Sequence, residues 1–141
     1  MTEKFLVAVA NASGNIINAQ LKTHYTNLSD YAFYDLMSAS IDFNMDNNGV
    51  FSYTGENTIT AYVSAKLSLA TTNYGVNVYI CLYKNNVKIG DTESFDQTYP
   101  EIINFPIELS QNDYLEIFAK STDETGTEIS QIQFSIFNTS I

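Results

Sequence analysis

The sequence has no arginine and no tryptophan, and it has one cysteine, one histidine and two prolines among its 141 residues. One cysteine excludes a disulfide within the chain, and one histidine excludes a metal site built from several imidazoles. The chain has six lysines and sixteen acidic residues, so the net charge is −10. This balance excludes nucleic acid and anionic membrane surfaces as partners, since both require clustered cations. No apolar run approaches the roughly 18 residues of a membrane span, which excludes membrane insertion.

Strand-forming residues dominate what is present. The chain has 10 tyrosines and 9 phenylalanines, and its hydrophobic fraction of 45% is that of a folded domain. The length predicts a single domain over residues 1–141. The apolar stretch at residues 5–10 is shorter than the ~7–15 residues of a signal-peptide core, so we interpret it as a first strand.

Alternation of apolar and polar residues marks the strands from residue 50 onward. It is longest over residues 58–69, where twelve residues alternate without a break. Further strands are predicted at 76–83, 103–109, 114–120 and 129–137. Shorter strands are expected at 16–21, 50–53, 87–90 and 92–99, while residues 42–49 read as an Asn/Asp loop. The sequence therefore predicts an all-β, antiparallel jelly-roll sandwich of about eight to ten short strands.

A second apolar face distinguishes these strands from those of a simple monomeric sandwich. Tyr79 and Tyr83 lie opposite the apolar face of one strand, and Tyr114 and Phe118 do so in another. Aromatic residues are enriched at the centres of protein interfaces. We predict that these four side chains pack against other copies of the chain; the alternative is that loops cover them within one chain.

Four segments, in order, resemble one family. NGVFSYTG with TAYVSAKLSL resembles its "Gly-x-Phe, turn, Tyr-x-Val-Ser-Ala" segment, and VYICLYKNNVKIG resembles its "Lys-Asn-Gly" hairpin. IELSQNDYLEIFAKS resembles "Val-x-Leu-x-x-Gly-Asp-x-Val-x-Leu", and QIQFSIFNTSI resembles the closing strand. The family is the trimeric jelly roll of tumour necrosis factors and complement globular heads. The resemblance covers residues 48–141, and residues 1–47 are either its first strands or an anchoring segment.

The sequence departs from the family at two glycines, because Asn86 and Asn112 stand in their places. Asparagine also accepts a positive φ, so the turns are expected to persist. The resemblance implies a homotrimer. Since no Gly-X-Y stalk precedes the domain, the cytokine and complement functions do not transfer. The sequence is most similar to the versions found on phage and virus particles as fibre heads, spikes or decoration proteins.

This resemblance predicts a non-enzymatic protein at the virion surface or outside the cell, with no convincing signal peptide. Its expected partners are other copies, other capsid proteins, and a host receptor or glycan. The alternative is a free, lectin-like carbohydrate-binding module, and an acidic glycoside hydrolase is the weakest hypothesis. For glycan stacking the candidates are Tyr74 and Tyr99.

Candidate chemistry is sparse. The sequence has no nucleophile motif for which His24 could act as the base. Cys81 lies in the middle of a predicted strand, where a small buried residue is expected. Asp42, Asn44 and Asp46 alternate ahead of a glycine, as oxygen ligands do in a calcium loop. The glycine stands at the wrong place for that loop, and an Asx-rich turn is the other interpretation. No other cofactor is predicted.

Overall fold

Two antiparallel sheets face each other in the computed structural model, which describes residues 3–10, 16–70, 75–123 and 127–138. These residues contain two short 3₁₀ turns, at Leu28–Asp30 and Gly90–Thr92, and no α-helix. The strands are β1 (Phe5–Ala10), β2 (Ile17–Ala19), β3 (Thr26–Asn27), β4 (Tyr34–Ala39), β5 (Phe43–Met45), β6 (Phe51–Tyr53), β7 (Ile59–Leu69), β8 (Val78–Lys84), β9 (Val87–Lys88), β10 (Ser94–Asp96), β11 (Glu101–Leu109), β12 (Tyr114–Ser121) and β13 (Thr127–Phe137).

The strand order is that of a jelly roll. The first sheet runs β11–β7–β13–β1–β4, with β2 beside β13. The second sheet runs β10–β8–β12–β6–β5, with β3 beside β12 and β9 beside β8. The predicted fold class, an all-β antiparallel jelly roll, is confirmed. The described part of residues 1–47 supplies strands to both sheets, with β1 and β4 in the first and β3 and β5 in the second.

The alternation in β7 places one apolar face against the core. Ala61, Val63 and Leu67 are buried, whereas Tyr62 and Lys66 between them point outward. The same period governs β13, in which Phe134 and Ile136 are buried and Phe137 lies on the outer face. Because the side chains of a strand alternate between its faces, these patterns fix which surface of each sheet meets the core.

The core joins the two sheets through aromatic side chains. Phe51 of the second sheet stacks on Phe134 of the first, with ring centroids 3.9 Å apart and an interplanar angle of 13°. Both side chains are almost fully buried, and Leu6 and Ile117 are buried in the same cluster. The core therefore does not use the side chains on the outer faces of the two sheets.

Asparagine takes the positive φ angles that the turns need. Asn85 and Asn86 have φ values of 50° and 68°, as a primed two-residue hairpin turn requires. Asn112 has a φ of 72°. The expectation that asparagine could serve at the family's glycine positions is therefore confirmed.

Several predicted bounds are wrong. The Asn/Asp loop at 42–49 contains β5, because Phe43 is buried and pairs with Tyr53. The strands expected at 16–21 and 92–99 shrink to three residues each. The described residues form thirteen strands, and six of these have three residues or fewer. Such short pairings carry too little alternation to be recognised in a sequence.

Candidate functional site

All four aromatic residues that the sequence singled out lie on the outer face of the second sheet, and three of them belong to one cluster of rings. Antiparallel pairing of β8 with β12 sets Tyr83 opposite Glu116 and Tyr79 opposite Lys120. The ring of Tyr83 stacks on that of Phe118 with centroids 3.9 Å apart and an interplanar angle of 18°. Both side chains are half-buried. The structure therefore brings these two predicted interface residues into direct contact within one chain.

Two rings that the sequence analysis did not select extend this cluster. Phe95 of β10 stacks on Tyr79 with centroids 4.9 Å apart. Tyr25 precedes β3 and lies edge-on against Tyr83, with centroids 6.3 Å apart. Tyr25 reaches this position because β3, which follows it directly, pairs with Phe118 and Ala119 of β12. Nothing in the polar segment around Tyr25 signals that pairing.

Two lysines lie against these rings. The Nζ atom of Lys120 is 4.8 Å from the ring centroid of Tyr25 and 4.9 Å from that of Tyr79. Lys88 Nζ is also 4.8 Å from the Tyr25 ring, and it forms an ion pair of 3.2 Å with Glu93 Oε2. Among the described residues, Lys120 has no carboxylate within ion-pair distance. An ammonium over a tyrosine ring is attracted by the negative ring face.

A short hydrogen bond links this cluster to an acid. The Tyr25 hydroxyl donates to Glu93 Oε2 at 2.5 Å. Burial raises the pKa of Tyr25, and its bond to the carboxylate raises that pKa further. The same hydrogen bond, helped by Lys88, lowers the pKa of Glu93. At neutral pH Tyr25 is therefore a protonated donor and Glu93 an ionised acceptor.

We call this surface the aromatic–lysine face; it comprises Tyr25, Tyr79, Tyr83, Lys88, Glu93, Phe95, Phe118 and Lys120. The fourth predicted interface residue, Tyr114, begins β12 beside Ser52 of β6. Its ring takes part in none of the aromatic contacts found within the described ranges. The structure thus unites three of the four predicted residues and leaves the fourth apart.

The outer face of the first sheet carries a row of apolar side chains across four strands. Phe5 pairs with Phe137, Phe137 with Tyr62, and Tyr62 with Pro106. The rings of Phe5 and Phe137 stack with centroids 6.2 Å apart. We call the outward surface of β1, β7, β11 and β13 the first-sheet face. The alternation in the sequence places Phe137 on an outer face, but nothing in the sequence connects it to this row.

A groove of about 370 Å³ lies on the first-sheet face beside this row. Val7 and Val9 line it on one side, and Ile103 lines it on the other with 68% of its surface exposed. A bulge in β11 turns Ile103 outward: Asn104 has a φ of 44°, and its backbone N–H donates to Ser64 Oγ at 2.9 Å. The bulge therefore forms one wall of the groove.

The predicted calcium ligands alternate along one short strand. Asp42, Asn44 and Asp46 run along β5 and its flanks, and Asp42 forms an ion pair of 3.3 Å with Lys4. Asp46 Oδ1 accepts backbone hydrogen bonds from Asn48 and Val50, as in an Asx turn. Among the described residues, no group of three acidic, histidine or cysteine side chains is arranged to hold a metal.

The remaining candidates lie apart from one another. Cys81 is buried, as expected, and its sulfur is 3.4 Å from the Thr92 hydroxyl. Burial raises the pKa of the Cys81 thiol. His24 is exposed, and Tyr99 is exposed with Lys66 Nζ 4.9 Å from its ring. Tyr74 lies outside the described residues.

Solved structures similar to this chain are tumour necrosis factor-like jelly rolls. Murine APRIL at pH 8.5 matches with 8% identity over 95% of this chain and 98% of its own, at a TM-score of 0.58. Eiger TNF from S. frugiperda matches with 6% identity over 98% of this chain and 95% of its own, at a TM-score of 0.57. GITRL from bushbaby matches with 11% identity over 95% of this chain and 93% of its own, at a TM-score of 0.51. Because the identities are this low, the structural similarity shows the fold alone.

No protein-family model and no curated protein sequence matches the chain. Within the described ranges, no helix has the length and hydropathy to cross a membrane.

Proposed function

We propose that this protein is a non-enzymatic, homotrimeric jelly-roll binding domain on the surface of a virus or phage particle. There it would serve as a fibre head, spike or decoration protein and bind a host receptor or glycan. The tumour necrosis factor-like fold supports a binding domain of this kind. The resemblance of residues 48–141 to particle-borne jelly rolls supports its place on the virion and its threefold assembly.

The first-sheet face is the surface we assign to contact between copies. Its central side chains, Phe5, Val7, Tyr62 and Phe137, carry no charge and are half-buried. Covering these four side chains gains about 25 cal/mol per Å² of apolar area, and the nearby charges of Lys66 and Glu101 lie opposite each other on β7 and β11. The exposed Ile103 beside the groove adds a side chain that a second copy would cover.

The aromatic–lysine face is the competing interface, since the sequence predicts contact through Tyr79, Tyr83, Tyr114 and Phe118. Charged groups interrupt it, because Lys88, Lys120 and Glu93 lie among the rings. Burying Lys120 against another copy would strip its ammonium of water, and the described residues hold no carboxylate close enough to pair with it. We therefore favour the first-sheet face.

Three charge substitutions at similarly exposed positions separate these interfaces. Ile103 on the first-sheet face is 68% exposed, Phe95 on the aromatic–lysine face is 60% exposed, and Val87 in the β8–β9 hairpin is 66% exposed. Because each side chain is largely solvated in one chain, glutamate at any of them leaves the monomer folded. The mass in solution, measured by light scattering, gives the assembly state.

We expect a mass of three times 15.8 kDa for the unmodified chain. Ile103→Glu should lower that mass, whereas Val87→Glu and Phe95→Glu should keep it. Loss of the trimer in Phe95→Glu alone would move the interface to the aromatic–lysine face. A 15.8 kDa species at micromolar concentration would overturn the homotrimer. EDTA should leave the mass unchanged, because Asp42 pairs with Lys4 and Asp46 Oδ1 accepts two backbone hydrogen bonds.

A further inference from the structure

We propose that the aromatic–lysine face binds an acidic saccharide, whose carboxylate pairs with Lys120 while its ring packs on Tyr79 and Phe95. The inference deepens the proposed receptor-binding function and rests on it. It uses residues other than Tyr74 and Tyr99, the glycan-stacking candidates of the sequence, and it specifies the class of ligand.

The first argument is the placement of positive charge. The chain has six lysines and a net charge of −10, yet two of its lysines converge on the single ring of Tyr25. Lys88 is neutralised by Glu93, which leaves the ammonium of Lys120 as the positive group available to an incoming anion. A carboxylate that pairs with an ammonium forms a charge-assisted hydrogen bond, the stronger class of such contacts.

The second argument is the ring surface beside that ammonium. Phe95 is 60% exposed and stacks on Tyr79, over whose ring Lys120 also lies. The faces of aromatic rings are negative and attract the electropositive C–H groups on one face of a sugar ring. An apolar ring surface and a cation thus lie side by side, which suits a saccharide with one apolar face and a carboxylate.

The third argument is a fixed acceptor at the same place. Glu93 is held by the Tyr25 hydroxyl at 2.5 Å and by Lys88 at 3.2 Å. A carboxylate accepts several hydrogen bonds at once, so Glu93 retains capacity for a ligand hydroxyl. A saccharide can donate hydroxyl groups to Glu93 while its single carboxylate pairs with Lys120, whereas a sulfate ion has no donor to offer Glu93.

The charge also excludes a nucleic acid as the occupant. Two lysines neutralise at most two phosphates, and the remaining negative surface repels a polyanion. A small ligand with one carboxylate is a better match in both size and charge.

The test uses the full chain labelled with ¹⁵N and titrated with 3′-sialyllactose, trigalacturonate and the neutral control lactose. We expect at least one acidic probe to bind with millimolar or lower Kd and to shift amide signals of β8, β10 and β12. Lactose should bind at least tenfold more weakly. Equal binding of lactose would overturn the role of the carboxylate, and no binding of either acidic probe would overturn the proposal.

Two matched substitutions test the assigned residue. Lys120→Gln removes the charge and keeps most of the side chain, so we expect affinity for the acidic probe to fall at least tenfold. Lys84→Gln removes the same charge at the end of β8, where Lys84 Nζ lies 3.5 Å from Asp113 Oδ2 and contacts none of the rings of the aromatic–lysine face among the described residues. It should keep the affinity within twofold. Unchanged binding by Lys120→Gln would overturn the site.

Light scattering on the same samples separates this inference from the proposed assembly. A trimer that binds neither acidic probe overturns the saccharide site and leaves the trimer. A monomer that binds an acidic probe through Lys120 overturns the trimer and leaves the saccharide site.

Discussion

Asn27 Nδ2 donates a hydrogen bond of 2.6 Å to Glu116 Oε2, which ties the short strand β3 to the outer face of β12. Burial raises the pKa of the Glu116 carboxyl above its usual 4.5, the bond from Asn27 lowers it, and the nearby Asp46 raises it again. The net direction is upward. Glu116 thus binds its proton more tightly in the folded chain than in the unfolded one.

The first prediction concerns pH and Glu116. A raised folded-state pKa favours folding fully below the unfolded value and loses that contribution as pH rises through the folded value. Glu116→Gln removes the ionisation and keeps an oxygen that accepts from Asn27. We expect its free energy of unfolding to exceed that of the unmodified chain by at most about 1 kcal/mol at pH 7, and by less at pH 4.

Urea unfolding at pH 4, 5.5 and 7 measures this difference. Glu108→Gln on β11 is the control, because it removes the same charge from an exposed position. A gain for Glu116→Gln that is the same at all three pH values, or that matches the control, would contradict the prediction.

The second prediction concerns Thr92, whose buried hydroxyl fills a gap in the ladder beside β8. It accepts from the backbone N–H of Leu82 at 2.9 Å and donates to the Ile89 carbonyl at 2.6 Å. Thr92→Val leaves both backbone groups without this partner, and we expect a loss of about 1–3 kcal/mol in the free energy of unfolding.

Thr122→Val is the matched control for Thr92. Thr122 also accepts from a backbone N–H, that of Asn77 at 3.0 Å, but it is exposed and water can replace its hydroxyl. Urea denaturation should give a clearly smaller loss for this variant. Equal losses would show that burial of the Thr92 hydroxyl contributes nothing.

The third prediction compares two glycines with positive φ. Gly49 has a φ of 69°, and a Cβ there would lie 2.9 Å from Ser29 Cβ and 3.0 Å from the Tyr34 ring. Gly75 has a φ of 82°, and no described atom would lie within 4 Å of its Cβ. Gly75→Ala should therefore cost about 1 kcal/mol from backbone conformation alone, and Gly49→Ala about 2–4 kcal/mol. Thermal unfolding of both variants measures the difference, and a larger loss at Gly75 would contradict this account.

The fourth prediction separates a core ring from a surface ring on the same strand. Phe134→Ala removes the ring that stacks on Phe51 between the sheets, so the free energy of unfolding should fall by about 3–5 kcal/mol. Phe137→Ala removes an outward ring from the first-sheet face and should mainly weaken the trimer. Chemical denaturation and light scattering on both variants measure the two effects. A Phe137→Ala chain that keeps the full trimer at low micromolar concentration would argue against contact through that face.

Alternation was sufficient to predict the long strands, because β7 buries one face along eleven residues and β13 does so from Gln131 to Phe137, beyond its register shift. The same alternation has two interpretations at one place. The oxygen-bearing Asp42, Asn44 and Asp46 recur at every second residue, which is the period of a calcium loop and equally that of the outer side of a strand. The buried Phe43 makes this segment β5.

The aromatic–lysine face was harder to predict, since its members come from four separate stretches of chain. Tyr79 and Tyr83 were accessible to sequence reasoning because they share a face of β8. Tyr25 was not, because its position depends on a two-residue pairing of β3 with β12. Contacts between distant segments leave no local pattern in a sequence.

Pairing of the first and last strands also determines when the first sheet can form. β13 lies between β1 and β7, so a ribosome must finish the last strand before the sheet has a continuous middle. Until then β7 and β1 each present an unpaired edge, and such edges recruit other nascent chains. Because its closing contacts join strands that are far apart in the sequence, this domain should fold slowly for its size. A chain in which β13 has not yet paired is therefore the form most open to aggregation.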